Sequence, residues 1–93
     1  MPLYKGDTLK ETVVKIPHDR LELNFPDELE LRLDEFFVGQ EFYHIYLGAN
    51  VIDSREDRPS AEKRYSEIQK IIESGKYRII VSEIGIKFLP DEA

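Results

Sequence analysis

Tyr77-Arg78-Ile79-Ile80-Val81-Ser82-Glu83-Ile84-Gly85-Ile86-Lys87-Phe88-Leu89 is the stretch around which the rest of the chain must pack. It is the most apolar run in the sequence, is rich in β-branched residues and stops at Pro90, which predicts a strand. Period two sends Tyr77, Ile79 and Val81 one way and Ile80, Ile84, Ile86 and Phe88 the other. A strand apolar on both faces belongs inside a covered sheet or at a subunit interface. The protein is therefore expected to be a homodimer or higher oligomer. Gly85 is expected to mark a bulge or the close approach of a neighbouring strand.

Working back from there, Ala61, Tyr65, Ile68 and Ile72 follow helical spacing, with Ile71 widening the stripe. Ser60 suits the N-cap of that helix, and Ser74-Gly75 suits its end. Upstream, Leu21-Glu22-Leu23-Asn24-Phe25 and Leu29-Glu30-Leu31-Arg32-Leu33 alternate cleanly and are expected to pair as a hairpin through Pro26-Asp27-Glu28. Glu22, Asn24, Glu30 and Arg32 then make a wet outer face.

Leu9 to Ile16 reads as a strand with Thr12, Val14 and Ile16 on one side, and residues 1–8 as a loose lead-in. Asp34 to Gln40 reads as a helical turn or a bulged loop. Glu41 to Leu47 reads as a strand, Gly48-Ala49-Asn50 as a turn, and Val51-Ile52 as the start of a short return. The expected fold is α+β, a single domain over residues 1–93. It is a small, mostly antiparallel sheet of about five strands in the order β-β-β-β(β)-α-β, with one helix on one face.

Ninety-three residues support one modest core. Cysteine is absent, which excludes disulfides and thiolate metal sites and favours a reducing compartment. No apolar segment resembles a signal peptide or a membrane span, so the expectation is a cytoplasmic protein without membrane contact. The net charge of −6 is unevenly spread. From Arg20 to Glu41 seven acids face two arginines, whereas residues 53–78 carry seven bases against six acids. An acidic middle argues against direct binding to a nucleic-acid backbone and permits binding to a basic protein surface.

Chemical motifs are few. Ser60-Ala-Glu-Lys63 matches Ser-x-x-Lys, but helix capping explains the serine better. His18 and His44 lie among carboxylates without the spacing of a metal site. Asp53-Ser-Arg-Glu-Asp57 lacks the glycine and terminal glutamate of a calcium loop. Gly75-Lys76 sits at a helix end, where no free N–H groups await a phosphate. Glu22 and Glu30, exposed on a strand face, would both stay ionised and supply charge rather than acid–base chemistry. No catalytic residue, metal or cofactor is expected.

Function must therefore lie in surfaces. Phe36, Phe37, Phe42, Tyr43 and Tyr46 place five of the ten aromatics within eleven positions. One helix cannot cover both faces of a sheet, which leaves Phe42, His44 and Tyr46 for a contact surface or pocket on the helix-free side. The first reading is a non-enzymatic binding module that inhibits or neutralises a partner protein, in the manner of an immunity, antitoxin or viral counter-defence protein. Its acidic contact residues would be Glu22, Glu28, Glu30 and Asp34. The second is a homo-oligomeric binder of a small anionic ligand, a nucleotide. There Phe42, His44 and Tyr46 would stack the base, while Arg55 and Arg58 gripped phosphate.

Overall fold

The computed structural model describes residues 4–16, 28–37, 40–82 and 85–91. Strands β1 (Tyr4–Lys15), β2 (Glu28–Phe37), β3 (Glu41–Leu47) and β4 (Asn50–Arg55) come first. Helix α1 (Arg58–Ser74) and strands β5 (Tyr77–Ser82) and β6 (Gly85–Pro90) follow. The first four strands form an antiparallel meander in sequence order, and β5 pairs with β6 as a separate two-stranded sheet. The α+β expectation holds, as does the mostly antiparallel sheet with one helix on one face.

The C-terminal apolar run is not one strand. Pairing runs from Tyr77 opposite Pro90 to Ser82 opposite Gly85, so the run is folded against itself. Gly85 begins β6 at φ 131°, a backbone conformation that glycine adopts freely and other residues do not. Folding the run in two also changes its faces. Tyr77, Ile79, Ile86 and Phe88 are buried on one side, while Ile80 remains 49% exposed on the other. A single dry face is enough for a hairpin, and the argument for an oligomer from a doubly apolar central strand loses its premise.

Leu29, Leu31 and Leu33 are buried as their alternation requires. The expected hairpin partner, Leu21–Phe25, lies outside the described residues. Leu33, Leu31 and Leu29 sit opposite Lys10, Thr12 and Val14 of β1, and from Leu31 onward β2 pairs on its other edge with β3. Both edges of β2 are thereby used. The strand also continues through Asp34 to Phe37, where a loop or helical turn was expected. Cross-strand neighbours on both sides stabilise an extended backbone that its own sequence does not announce.

Strand β1 begins at Tyr4, not after a lead-in. Its pairing with β2 shifts register between Lys5 and Asp7 and again between Thr8 and Lys10. Each inserted residue, Gly6 and Leu9, interrupts period two, which hides the strand from a pattern search. Beyond the second bulge the expected side is correct: Val14 and Ile16 are buried and Thr12 is half-buried.

Helix α1 starts ahead of Ser60. Asp57 is the N-cap and accepts from the Ser60 N–H at 2.9 Å, with Pro59 in the first turn, where a missing N–H does no harm. Gly75 closes the helix at φ 76°, and its N–H donates to the Ile72 carbonyl. Ala61, Tyr65, Ile68 and Ile72 are the buried stripe, with Ile71 packed partly against the same core. The Tyr65 hydroxyl donates to the Leu31 carbonyl at 2.8 Å, tying helix to sheet. Helix and hairpin contribute to one core with Leu31, Leu33, Tyr43, Ile45 and Leu47, so both lie on the same face of the meander. Among the described residues, no helix is long and apolar enough to cross a membrane.

Candidate functional site

The face of the meander turned away from α1 is built in rows, because residues opposite one another on adjacent strands share a face. One row crosses all four strands as Glu11, Arg32, Tyr46 and Val51. The next is Thr8, Asp34, His44 and Ser54, and beyond it Phe36 stands opposite Phe42. Towards the other end lie Val13 with Glu30 and Lys15 with Glu28. This outer face grades from charge at one end to rings at the other.

The rings form a continuous cluster. Phe36 and Phe42 are stacked at 5.2 Å between centroids with planes 8° apart. His44 packs 5.1 Å from Phe36 and edge-on to Phe42 at 5.0 Å, and Tyr46 lies 6.0 Å beyond it. The Arg32 guanidinium sits 4.7 Å from the Tyr46 ring centre, a cation–π contact. Phe36 is buried, whereas Phe42, His44 and Tyr46 remain partly accessible. Phe37 and Tyr43, although in the same run of sequence, do not join them. Tyr43 lies in the core, and Phe37 has the opposite parity along β2.

Beneath the rings runs a polar line. Asp34 is only 1% exposed, and its carboxylate accepts from the Thr8 hydroxyl at 2.8 Å and from Arg32 Nε at 3.0 Å. A buried carboxylate needs such partners, since its desolvation is otherwise very costly. Asp34 is thus not a surface acid. His44 Nδ1 and Ser54 Oγ are 2.7 Å apart. Burial holds the His44 imidazole below its ordinary value of 6.5, against an upward pull from Asp34. The imidazole is therefore neutral at neutral pH.

Of the four acids expected to make a contact surface, Glu22 lies outside the described residues, as does His18. Glu28 is exposed and Glu30 half-buried on the outer face. Glu28 stands opposite Lys15, and Glu30 accepts from Arg32 at 3.4 Å, so this end is mixed in charge rather than uniformly acidic.

The two arginines proposed to accompany Tyr46 are elsewhere. The turn at Gly48-Ala49 brings Val51, not Arg55, opposite Tyr46. Arg55 stands opposite Tyr43 on the helix side, where it and Arg64 share Asp53 at 3.1 and 3.2 Å. Arg55 also lines a small cavity of about 150 Å³ with Ser60, Lys63, Arg64 and Glu67. Arg58, in the first turn of α1, pairs with Glu62 at 2.8 Å. Arg55 and Arg58 thus lie away from the rings, and Arg32 is the guanidinium beside them.

Sequence reasoning placed Arg32 on the outer face but not beside the rings, and it missed Thr8 and Ser54 there. Even parity from Glu28 through Phe36 held the signal for Arg32, but Thr8 and Ser54 arrive through bulges that no period reveals. Asp57 of the calcium-like segment is the helix cap, and among the described residues no group of His, Asp or Glu gathers as metal ligands would. Compared with known proteins, the chain matches no family model, no curated protein and no solved structure.

Proposed function

We propose that the chain is a binding module that neutralises a partner protein by occupancy rather than catalysis, using the outer face of the meander. The observation that carries this reading is the row of partly accessible rings, Phe42, His44 and Tyr46, with Arg32 against Tyr46, on the face that α1 and the hairpin leave alone. Aromatic rings and arginine are the side chains that most often dominate binding energy, because they bury large rigid area at low entropic cost. Val51, 47% exposed and opposite Tyr46, extends the apolar area. Glu11, Glu28 and Glu30 at the charged end favour a partner with a basic rim.

The test is affinity capture from extracts of the protein's own host with wild type, with Phe42→Ala/Tyr46→Ala, and with Ile80→Ala on the hairpin as control. The reading expects one partner retained by wild type and control and lost from the ring variant. A partner held equally by all three removes the outer face from consideration. If the face is right, reversing Glu28 and Glu30 to Lys slows association by about one to two decades at low salt.

A nucleotide ligand is the second reading, favoured by the accessible ring faces next to the Arg32 guanidinium. It is weakened because Arg32 already serves Asp34 and Glu30, and because Arg55 and Arg58 lie away from Tyr46. Calorimetric titration with linear and cyclic nucleotides, wild type against Tyr46→Ala, decides it. Heat that Tyr46→Ala abolishes supports a nucleotide site, and no heat with any nucleotide dismisses it.

A further inference from the structure

The polar line across the outer face, Thr8-Asp34-His44-Ser54, ends in a hydroxyl whose partner is an imidazole nitrogen. We propose that Ser54 is an acyl-acceptor site, its hydroxyl activated by His44 for attack on aryl esters or thioesters. This goes beyond the binding reading and does not depend on it.

Three features of the geometry converge. Ser54 is exposed at the end of the line, and its Oγ lies 2.7 Å from His44 Nδ1, within the reach that general-base activation of a nucleophile requires. The imidazole is held in place by rings, at 5.1 Å from Phe36, 5.0 Å from Phe42 and 6.0 Å from Tyr46. On the neighbouring strand opposite His44 stands Asp34, fixed by Thr8 and Arg32. A carboxylate fixed there stabilises the imidazolium that forms when His44 takes a proton. Phe42 and Tyr46 add an apolar bed for an aryl or acyl group. Ser74 provides the contrast within the same protein: its hydroxyl donates to the Ile71 carbonyl at 2.8 Å, a partner that cannot accept a proton in the reaction.

The step balances without a further reagent. With the imidazole protonated at Nε2, Nδ1 takes the Ser54 hydroxyl proton as Oγ bonds to the acyl carbon. The carbon–oxygen or carbon–sulfur bond of the donor breaks, and its electron pair leaves with the aryl oxide or thiolate. His44 returns its proton to the leaving group or to water. The product is an ester on Ser54.

The experiment exposes the intact chain to 4-nitrophenyl acetate and follows nitrophenolate release, intact mass and the acylated residue by peptide mapping. Ser54 is expected to be acetylated well ahead of Ser60, Ser66 and Ser74, and Ser54→Ala to lose that adduct. His44→Gln, checked for a cooperative melt, is expected to slow Ser54 acylation by about 100-fold or more. The wild-type rate should rise with pH only through the titration of His44 and then level off. A Ser54 adduct no faster than that of Ser74, or a rate untouched by His44→Gln in a folded variant, overturns the proposal. So does a wild-type rate that climbs steadily into alkali, as an unassisted hydroxyl would.

Discussion

The same strands present Leu31, Leu33, Tyr43, Ile45 and Leu47 to α1 and the hairpin, and Arg32, Asp34, Phe42, His44 and Tyr46 to the other side. On the covered face, burial follows from apolar side chains meeting a second layer. On the outer face Asp34 and Phe36 are almost as deeply buried, at 1% and 5%, without α1 or the hairpin above them. There the sheet supplies a hydroxyl and a guanidinium among the partners of the carboxylate, and a stacked ring for the phenyl. A buried charge on this face is tolerated because adjacent strands supply hydrogen bonds to it.

The largest difference between the faces is expected from a charge placed on the covered side. Ile68, 1% exposed on α1, faces that core, and Ile68→Asp buries a carboxylate with no partner. That costs several kcal/mol, on the order of the whole stability of a small domain, so thermal unfolding should show no cooperative transition. A wild-type-like melt would mean that α1 does not pack on the sheet.

On the outer face Asp34→Ala is the severe change. Removing the carboxylate takes a hydrogen-bond partner from the Thr8 hydroxyl and from Arg32 Nε, and should cost about 1–3 kcal/mol in urea unfolding. Glu30→Ala, one row away and half-buried, should stay within about 0.5 kcal/mol. Equal losses for the two would refute the distinction between ladder-buried and surface acids.

The two faces should also fail at opposite ends of the pH scale. Tyr43 on the covered face has its phenol pushed up to about 12, chiefly by burial and then by Glu41 and Glu35. A raised folded value means stability present at neutral pH and lost as pH rises above the unfolded value of 10.0. Wild type should lose stability in that alkaline range, and Tyr43→Phe should lose less. His44 on the outer face has its value lowered, so the unfolded chain binds the proton first. Stability should then fall as pH drops below 6.5 and go on falling until the folded imidazole is itself protonated. Urea midpoints between about pH 7.5 and about pH 5 should drop more for wild type than for His44→Gln. An unchanged slope in that variant would assign the acid sensitivity to other groups.

These contrasts also mark what could be seen in the sequence. Leu29, Leu31 and Leu33, and the stripe from Ala61 to Ile72, declare themselves because a strong apolar period has one physical solution. The placement of Phe42, His44 and Tyr46 on the face away from the helix followed by simple parity from Tyr43, Ile45 and Leu47. Partners across strands were not legible. The alternation of Leu29–Leu33 does not reveal that Val14–Lys10 stands opposite it, which only three-dimensional closure decides. Arg55 was misplaced because one inserted residue in the β3–β4 pairing, between Ile45 and Tyr46, sets which residues of β4 share the face of Tyr46. Asp34 looked like surface charge because its acid neighbours in sequence are not its neighbours in space.

Beside the shared core, the junction of the two sheets has a side chain imitating a backbone. The side-chain oxygen Oδ1 of Asn50 accepts from the Ile86 N–H at 3.0 Å, supplying a rung where β4 and β6 share no ladder. A Cβ on Gly85 would displace that oxygen, and the φ of 131° there independently favours glycine. A hairpin joined to the meander in this way can detach as a unit while β1 to β4 stay paired. Its amides should accordingly exchange with deuterium together and ahead of those at the centre of β2 and β3. Asn50→Ala should widen that gap, separating into two steps an opening that the wild type makes nearly as one.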